Sequence, residues 1–257
     1  MIRRQEIVEK ARKHGVPEST IERDYAQNWL IGSLSSLDMV MKGGTAIRKA
    51  YVEDYRFSDD LDFTLLFDID ADTFDATVKQ AVEVAAEDSG INFNPETSFR
   101  QIDNGFEINV YFQLLQRGGN RTRIKIDVTS YGNEPLLLPA EKKQVFHQYS
   151  DDFRSEIIVY SLDEIMAEKI RSLFQRTRPR DLYDVWFLGN RVDKEVVLEI
   201  LPNKFSSKGV ERSIRDLEGR KEDFRSAWVR SLSHQLRPLP EFDEVFSAVV
   251  EELKKFI

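Results

Sequence analysis

Strand-like and helical patterns are segregated along this chain, and that segregation limits the fold more than any single motif. Arg123-Ile124-Lys125-Ile126-Asp127-Val128-Thr129 alternates strictly. Ile124, Ile126 and Val128 therefore face one side of a strand, and Lys125, Asp127 and Thr129 the other. Strand-like runs cover Ile91 to Phe99, Phe106 to Leu115 and Arg121 to Ser130, with Gly118-Gly119-Asn120 as a hairpin turn between the last two. Asp60 to Leu66 reads as another strand, after a short apolar run from Leu37 to Met41. The chain then reads as loop from Tyr131 to Ile157-Ile158-Val159, and as mostly helix from Ser161 onward. Strands followed by helices imply an α+β fold. Its division is expected at residues 1–155 and 156–257.

Helix boundaries follow from caps and spacing. Gln5 to His14 forms a first helix, ended by Gly15, and Pro17-Glu18-Ser19-Thr20 starts a second. Ile21, Tyr25, Trp29 and Leu30 give that second helix one apolar face. Thr45 is placed to cap a short helix from Ala46 to Tyr51, and Asp72 to cap a long one ending at Ser89 before Gly90. Ser161-Leu162-Asp163-Glu164 has the form of a capping box. Later helices are expected near Pro179, Asp193, Ser207, Lys221 and Glu241.

Composition narrows the chemistry. The 257 residues contain no cysteine, which excludes disulfides, thiolate metal sites and a cysteine nucleophile. Three dispersed histidines, His14, His147 and His234, leave carboxylates and lysines to carry any reaction. No apolar run is long enough for a membrane span, and the charged N-terminus lacks a signal peptide's apolar core, so a cytoplasmic location is the expectation. The net charge of −8 argues against uniform coating by nucleic acid but leaves room for a local basic groove. Basic residues cluster at Arg117, Arg121, Arg123 and Lys125, and again at Arg171, Arg176, Arg178 and Arg180.

The chemical signal lies in Lys42-Gly43-Gly44-Thr45, followed by Arg56-Phe57-Ser58-Asp59-Asp60-Leu61-Asp62-Phe63. Two glycines let the backbone approach a phosphate closely. On a strand, Asp60 and Asp62 project to one face while Leu61 and Phe63 face the core. Paired carboxylates repel unless a cation sits between them, and hard cations such as magnesium suit both carboxylate and phosphate oxygens. Asp127 is the candidate third carboxylate, either as general base or as ligand to a second metal; the alternative is a surface aspartate paired with Lys125. Lys169, Ser172 and Arg176 share one face of a helix, where a lysine is ordinarily solvated. Asp181 and Asp184 also share a face, and Tyr183, Trp186 and Phe187 read as core packing.

The stretch from Lys42-Gly43-Gly44-Thr45 to Asp60-x-Asp62 resembles the signature of the nucleotidyltransferase beta superfamily. Glu168-Lys169-Ile170, Arg176 and Arg180-Asp181-Leu182-Tyr183-Asp184 are similar to its AbiEii/AbiGii toxin branch. The resemblance implies a nucleotidyltransferase-like mixed β-sheet domain flanked by helices, with a helical C-terminal region that completes the active site. It implies that Gly43, Gly44, Thr45 and Ser58 bind nucleotide phosphates, and that Asp60, Asp62 and Asp127 hold Mg2+. It implies that Lys169 contacts the triphosphate and that Asp184 is a further active-site acid. The activity implied is transfer of a nucleoside monophosphate from a nucleoside triphosphate to an acceptor hydroxyl. The acceptor implied is the 3′ end of tRNA, in a toxin–antitoxin setting with a role in phage defence. Transfer to a protein or small molecule uses the same acidic core, and a catalytically silent nucleotide-binding module is the reading from another class.

Overall fold

In a computed structural model, which describes residues 1–114 and 121–256, the strand-forming part of the chain builds an eight-stranded sheet. The expected Gly118-Gly119-Asn120 turn, Leu115 and Arg117 lie outside the described residues. Two units are distinguished: Met1–Glu134 with Ala140–Tyr160, and Pro135–Pro139 with Ser161–Ile257. The last strand belongs to the sheet of the first unit, so the division falls after Tyr160, later than the expected 155.

The first unit runs α1 (Arg4–His14), α2 (Glu18–Leu34), β1 (Met39–Lys42), α3 (Gly43–Ala46), a π-helical turn (Ile47–Tyr51), β2 (Asp60–Leu65) and α4 (Ala71–Ser89). It continues with β3 (Asn92–Phe93), β4 (Ser98–Ile102), β5 (Gly105–Gln113), β6 (Thr122–Thr129), β7 (Glu141–Gln144) and β8 (Glu156–Val159). The strand order is β3-β5-β6-β2-β1-β8-β7, with β4 also on β5. β2 pairs with β6, and β1 with β8, in parallel; the other pairs are antiparallel, so the sheet is mixed. Alternation puts Ile108, Val110 and Phe112 of β5 and Ile124, Ile126 and Val128 of β6 in the core. Against them packs Phe74 of α4, whose ring stacks on Phe106 at 4.9 Å.

Four local expectations are revised. The Ile91–Phe99 run is two strands, because Pro95 lies between β3 and β4 and cannot donate to a ladder. The stretch read as loop after Tyr131 contains β7, whose Glu141-Lys142-Lys143-Gln144 carries no apolar signal. Such a strand survives at a sheet edge, where charge discourages further pairing, and Lys142 pairs with Glu156 of β8. α4 is capped by Asp70, not Asp72: the Asp70 carboxylate accepts from the Thr73 N–H at 2.9 Å. Thr45 does not cap a helix, because the helix begins at Gly43.

The second unit contains α5 (Leu162–Gln175), α6 (Pro179–Leu188), α7 (Lys194–Ser206), α8 (Ile214–Gly219), α9 (Lys221–Leu232) and α10 (Phe242–Phe256). The helix expected near Ser207 starts instead at Ile214, capped by Ser213, and Ser207 closes α7. Only half of the capping box forms at Ser161. Its Oγ accepts from the Glu164 N–H at 3.2 Å, but the Glu164 carboxylate turns away to accept from the Leu137 and Leu138 N–H groups at 2.8 and 2.9 Å. Lys204, fully buried, pairs with that same carboxylate at 2.6 Å and with Glu168 at 3.1 Å. This ion cluster is why Pro135–Pro139 belongs with the helices. Ser161→Ala is expected to lower stability by about 1 kcal/mol, the usual loss of a helix cap, measured by urea denaturation. Among the described residues no helix is long and apolar enough to cross a membrane.

Candidate active site

The first unit brings the expected carboxylates onto one face of the sheet, with Asp62 in register with Asp127 and Asp60 in register with Lys125. Asp60 and Asp62 on β2 are half-buried, and the intervening Leu61 is in the core, so both acids project from one face. The parallel register of β2 and β6 sets Asp62 beside Asp127. The antiparallel register of β5 and β6 sets Glu107 beside Asp127, and that of β1 and β2 sets Lys42 beside Asp62. Registered neighbours share a face, so Lys42, Asp62, Asp127 and Glu107 form one line across four strands. Glu107 was not singled out in the sequence, although its place on the polar face of an alternating run was the signal available.

Lys125 lies in the middle of this acidic group. Its Nζ is 2.8 Å from Asp127 and 2.9 Å from Glu107, so the Asp127–Lys125 pairing read as an alternative in the sequence is present. Burial, helped by the charge of Asp62, raises the Asp127 carboxyl above its ordinary value, while the hydrogen bond from Lys125 acts against it. The same lysine lowers Glu107. All donors here are hard oxygens, the set magnesium requires. Among the described residues, however, no group of three or more His, Cys, Asp or Glu side chains is spaced to hold a metal ion.

The glycines explain how the loop meets the acids. Gly43 has φ +75°, and a Cβ built on it would stand 2.5 Å from Asp62 Oδ2. A side chain at 43 would thus occupy the space the carboxylate uses. A Cβ on Gly44 would stand 2.7 Å from Arg56 Nη2 and 3.2 Å from Ser58 Oγ. Thr45 is buried, and its hydroxyl donates to the Asp60 carbonyl at 2.5 Å, which ties the loop to the start of β2. Gly43, Gly44, Ser58 and Asp62 are therefore brought together, and Thr45 holds them from behind.

Helix α2 supplies the support, and its contribution was missed in the sequence. Gln27 Nε2 donates to the Ser58 and Asp59 carbonyls at 3.0 and 3.1 Å. Arg23 reaches Asp59 at 2.6 Å and the Arg123 carbonyl at 3.1 Å. Asp24, buried, binds Arg48 Nε at 2.6 Å and Lys49 Nζ at 2.7 Å, and accepts from the Tyr149 hydroxyl at 2.8 Å. Arg48 lies 3.7 Å from the Phe57 ring centroid and also donates to the Tyr55 carbonyl. These contacts fix both ends of the segment between the glycines and the acids.

In the second unit Lys169 is buried rather than solvated. Its Nζ lies 2.8 Å from both Asp181 and Asp184, and Arg176 adds a second cation to Asp181 at 2.9 Å. Burial would raise Asp181; the charges of Lys169 and Arg176 outweigh it and hold that carboxyl well below the usual range. Asp181 and Asp184 share a helix face as expected, but it turns inward to Lys169. Of the aromatics read as core, Tyr183 is buried and Trp186 is 40% exposed.

Comparison with known proteins supplies three findings. The family described as nucleotidyl transferase AbiEii toxin, type IV TA system, matches residues 29–248. Among solved structures, MenT4, a nucleotidyltransferase toxin from Mycobacterium tuberculosis H37Rv, superimposes with TM-score 0.67 at 19% identity, covering 100% of this chain and 90% of its own. JHP933 from Helicobacter pylori superimposes with TM-score 0.61 at 19% identity, covering 93% of this chain and 95% of its own. Comparison with curated protein sequences gave no match.

Proposed function

The chain belongs to the AbiEii nucleotidyl transferase toxin family and is a nucleotidyltransferase, and from that premise we propose that it transfers a nucleoside monophosphate to the 3′ end of tRNA. The observation supporting nucleotidyl transfer is the register pair Asp62–Asp127 beside Gly43, where the absence of a side chain leaves room for the Asp62 carboxylate, and the tRNA acceptor follows from the family resemblance. A nucleoside triphosphate is the substrate, and the setting is a toxin–antitoxin pair with a cognate antitoxin and a role in phage defence.

In the reaction the acceptor oxygen bonds to the α-phosphorus, the bond to the β-phosphate oxygen breaks, and pyrophosphate leaves. Asp127 takes the acceptor's proton; its burial makes it a better base than an ordinary carboxylate. Gly43 and Gly44 bring the backbone to the phosphates, with Ser58 as a hydroxyl donor and Thr45 as their anchor. Asp60 and Asp62 would hold Mg2+, which neutralises phosphate charge when bound. Within the helical unit Asp184 orients Lys169, the lysine that the family resemblance assigns to the triphosphate. Catalysis of this kind is mainly positioning and electrostatics.

The test incubates the protein with each labelled nucleoside triphosphate, magnesium and total tRNA, beside Asp60→Ala. Label on tRNA with wild type alone is the expected result, and it identifies the nucleotide. Label on protein or a small molecule instead would replace the acceptor. Nucleotide binding without transfer to any acceptor would leave a silent binding module.

A further inference from the structure

We propose that the cavity of the helical unit, lined by Tyr183, Trp186 and Phe187 of α6 and by Arg191, and walled on its other part by Leu236 and Pro238, binds an unpaired base of single-stranded RNA. The identity of the strand rests on the RNA-acceptor reading above. The cavity measures about 470 Å³, within the range of small-ligand sites. Trp186 also lines a second cavity of about 200 Å³ with Val185 and Gly189, so open space adjoins this indole in two places. It follows three buried residues, Tyr183, Asp184 and Val185, yet remains 40% exposed.

The neighbours have the chemistry of a stacking platform. Tyr183 and Phe187 lie nearly parallel, with centroids 5.9 Å apart and planes at 24°, and Trp186 is 5.8 Å from Tyr183. The Arg191 guanidinium sits 4.1 Å from the Phe187 centroid, and its Nη1 donates to the Phe187 carbonyl at 2.9 Å. Tyr183 is buried and Phe187 packs against Tyr183 and Arg191, so the exposed indole of Trp186 is the ring that a base face can stack on. Asn190, exposed beside them, offers a donor and an acceptor to a base edge, and Arg191 offers charge to a flanking phosphate. An apolar peptide would fill the same space, but it would cover the Arg191 charge without giving it a partner.

The test compares binding of a labelled RNA hexamer of mixed sequence with that of an abasic strand of equal length and charge. Fluorescence anisotropy is measured for wild type, Trp186→Ala and Trp186→Phe. Wild type is expected to prefer the RNA by about tenfold, the scale of one stacked base. Trp186→Ala should lose that preference and Trp186→Phe should retain most of it. Equal binding of both strands by wild type, or a preference that survives in Trp186→Ala, overturns the proposal. Displacement of tryptophan emission by an apolar peptide but not by RNA overturns it too, in favour of a protein partner. If tRNA labelling fails while the base preference holds, the acceptor reading falls and the cavity stands. If labelling succeeds without the preference, the cavity falls alone.

Discussion

Asp62→Asn is expected to lower nucleotidyl transfer by about 10²–10³-fold while leaving the fold intact, the scale seen when one preorganised electrostatic group is lost. Asparagine keeps the shape of the side chain and removes its charge, so the row from Lys42 to Glu107 keeps its packing and loses its central acid. Gly43→Ala tests geometry instead of charge. At φ +75° an alanine pays a steric penalty of about 1–2 kcal/mol, and its Cβ would stand 2.5 Å from Asp62 Oδ2. The carboxylate must move, and a displacement on the order of 1 Å at a reacting centre lowers turnover by about 10²-fold. Steady-state kinetics beside a thermal melt separate the two. Asp62→Asn should melt near wild type, and Gly43→Ala should lose both stability and turnover. Wild-type turnover in Gly43→Ala would remove the loop from the site.

What was legible in the sequence is what repeats locally. Alternation placed Asp60 and Asp62 on one face, and the β6 run placed Lys125 and Asp127 together, because a strand's period of two depends on nothing distant. The helical second half was legible for the same reason, whereas the mixed sheet followed only from the family resemblance, since strand direction is set by partners far along the chain. β7 was not, because an edge strand of polar residues has no buried face to mark it. The direction of Lys169 was not legible either. A lysine on a helix looks the same whether solvated or buried, and here Asp181 and Asp184 on the next helix decide. Arg23, Asp24 and Gln27 fail by the same logic. α2 shows an apolar face, yet its polar residues are buried as well, against partners far along the chain.

Asp24 is the residue where that hidden support should show most in stability. Its carboxylate holds Arg48 at 2.6 Å and Lys49 at 2.7 Å, and both cations are almost wholly buried. Asp24→Ala would leave two charges in the interior without their anion, a change that destabilises by about 3–5 kcal/mol. In a chain of this size that corresponds to a melting point lower by roughly 6–20 °C. Activity should fall at permissive temperature as well, since Arg48 lies against Phe57 and donates to Tyr55, which lead into Ser58 and Asp60. The pH dependence carries a definite sign. Burial alone would raise the Asp24 carboxyl; the charges of Arg48 and Lys49 outweigh burial and hold it well below the usual carboxylate range. Its contribution is therefore complete above the unfolded value, about 3.9, and is lost as pH falls below it toward the folded value. Wild type should thus lose more stability than Asp24→Asn between about pH 5 and pH 3 in denaturant titrations. Parallel acid profiles for the two proteins would mean that the ion cluster contributes nothing, and that α2 holds the site through Arg23 and Gln27 alone.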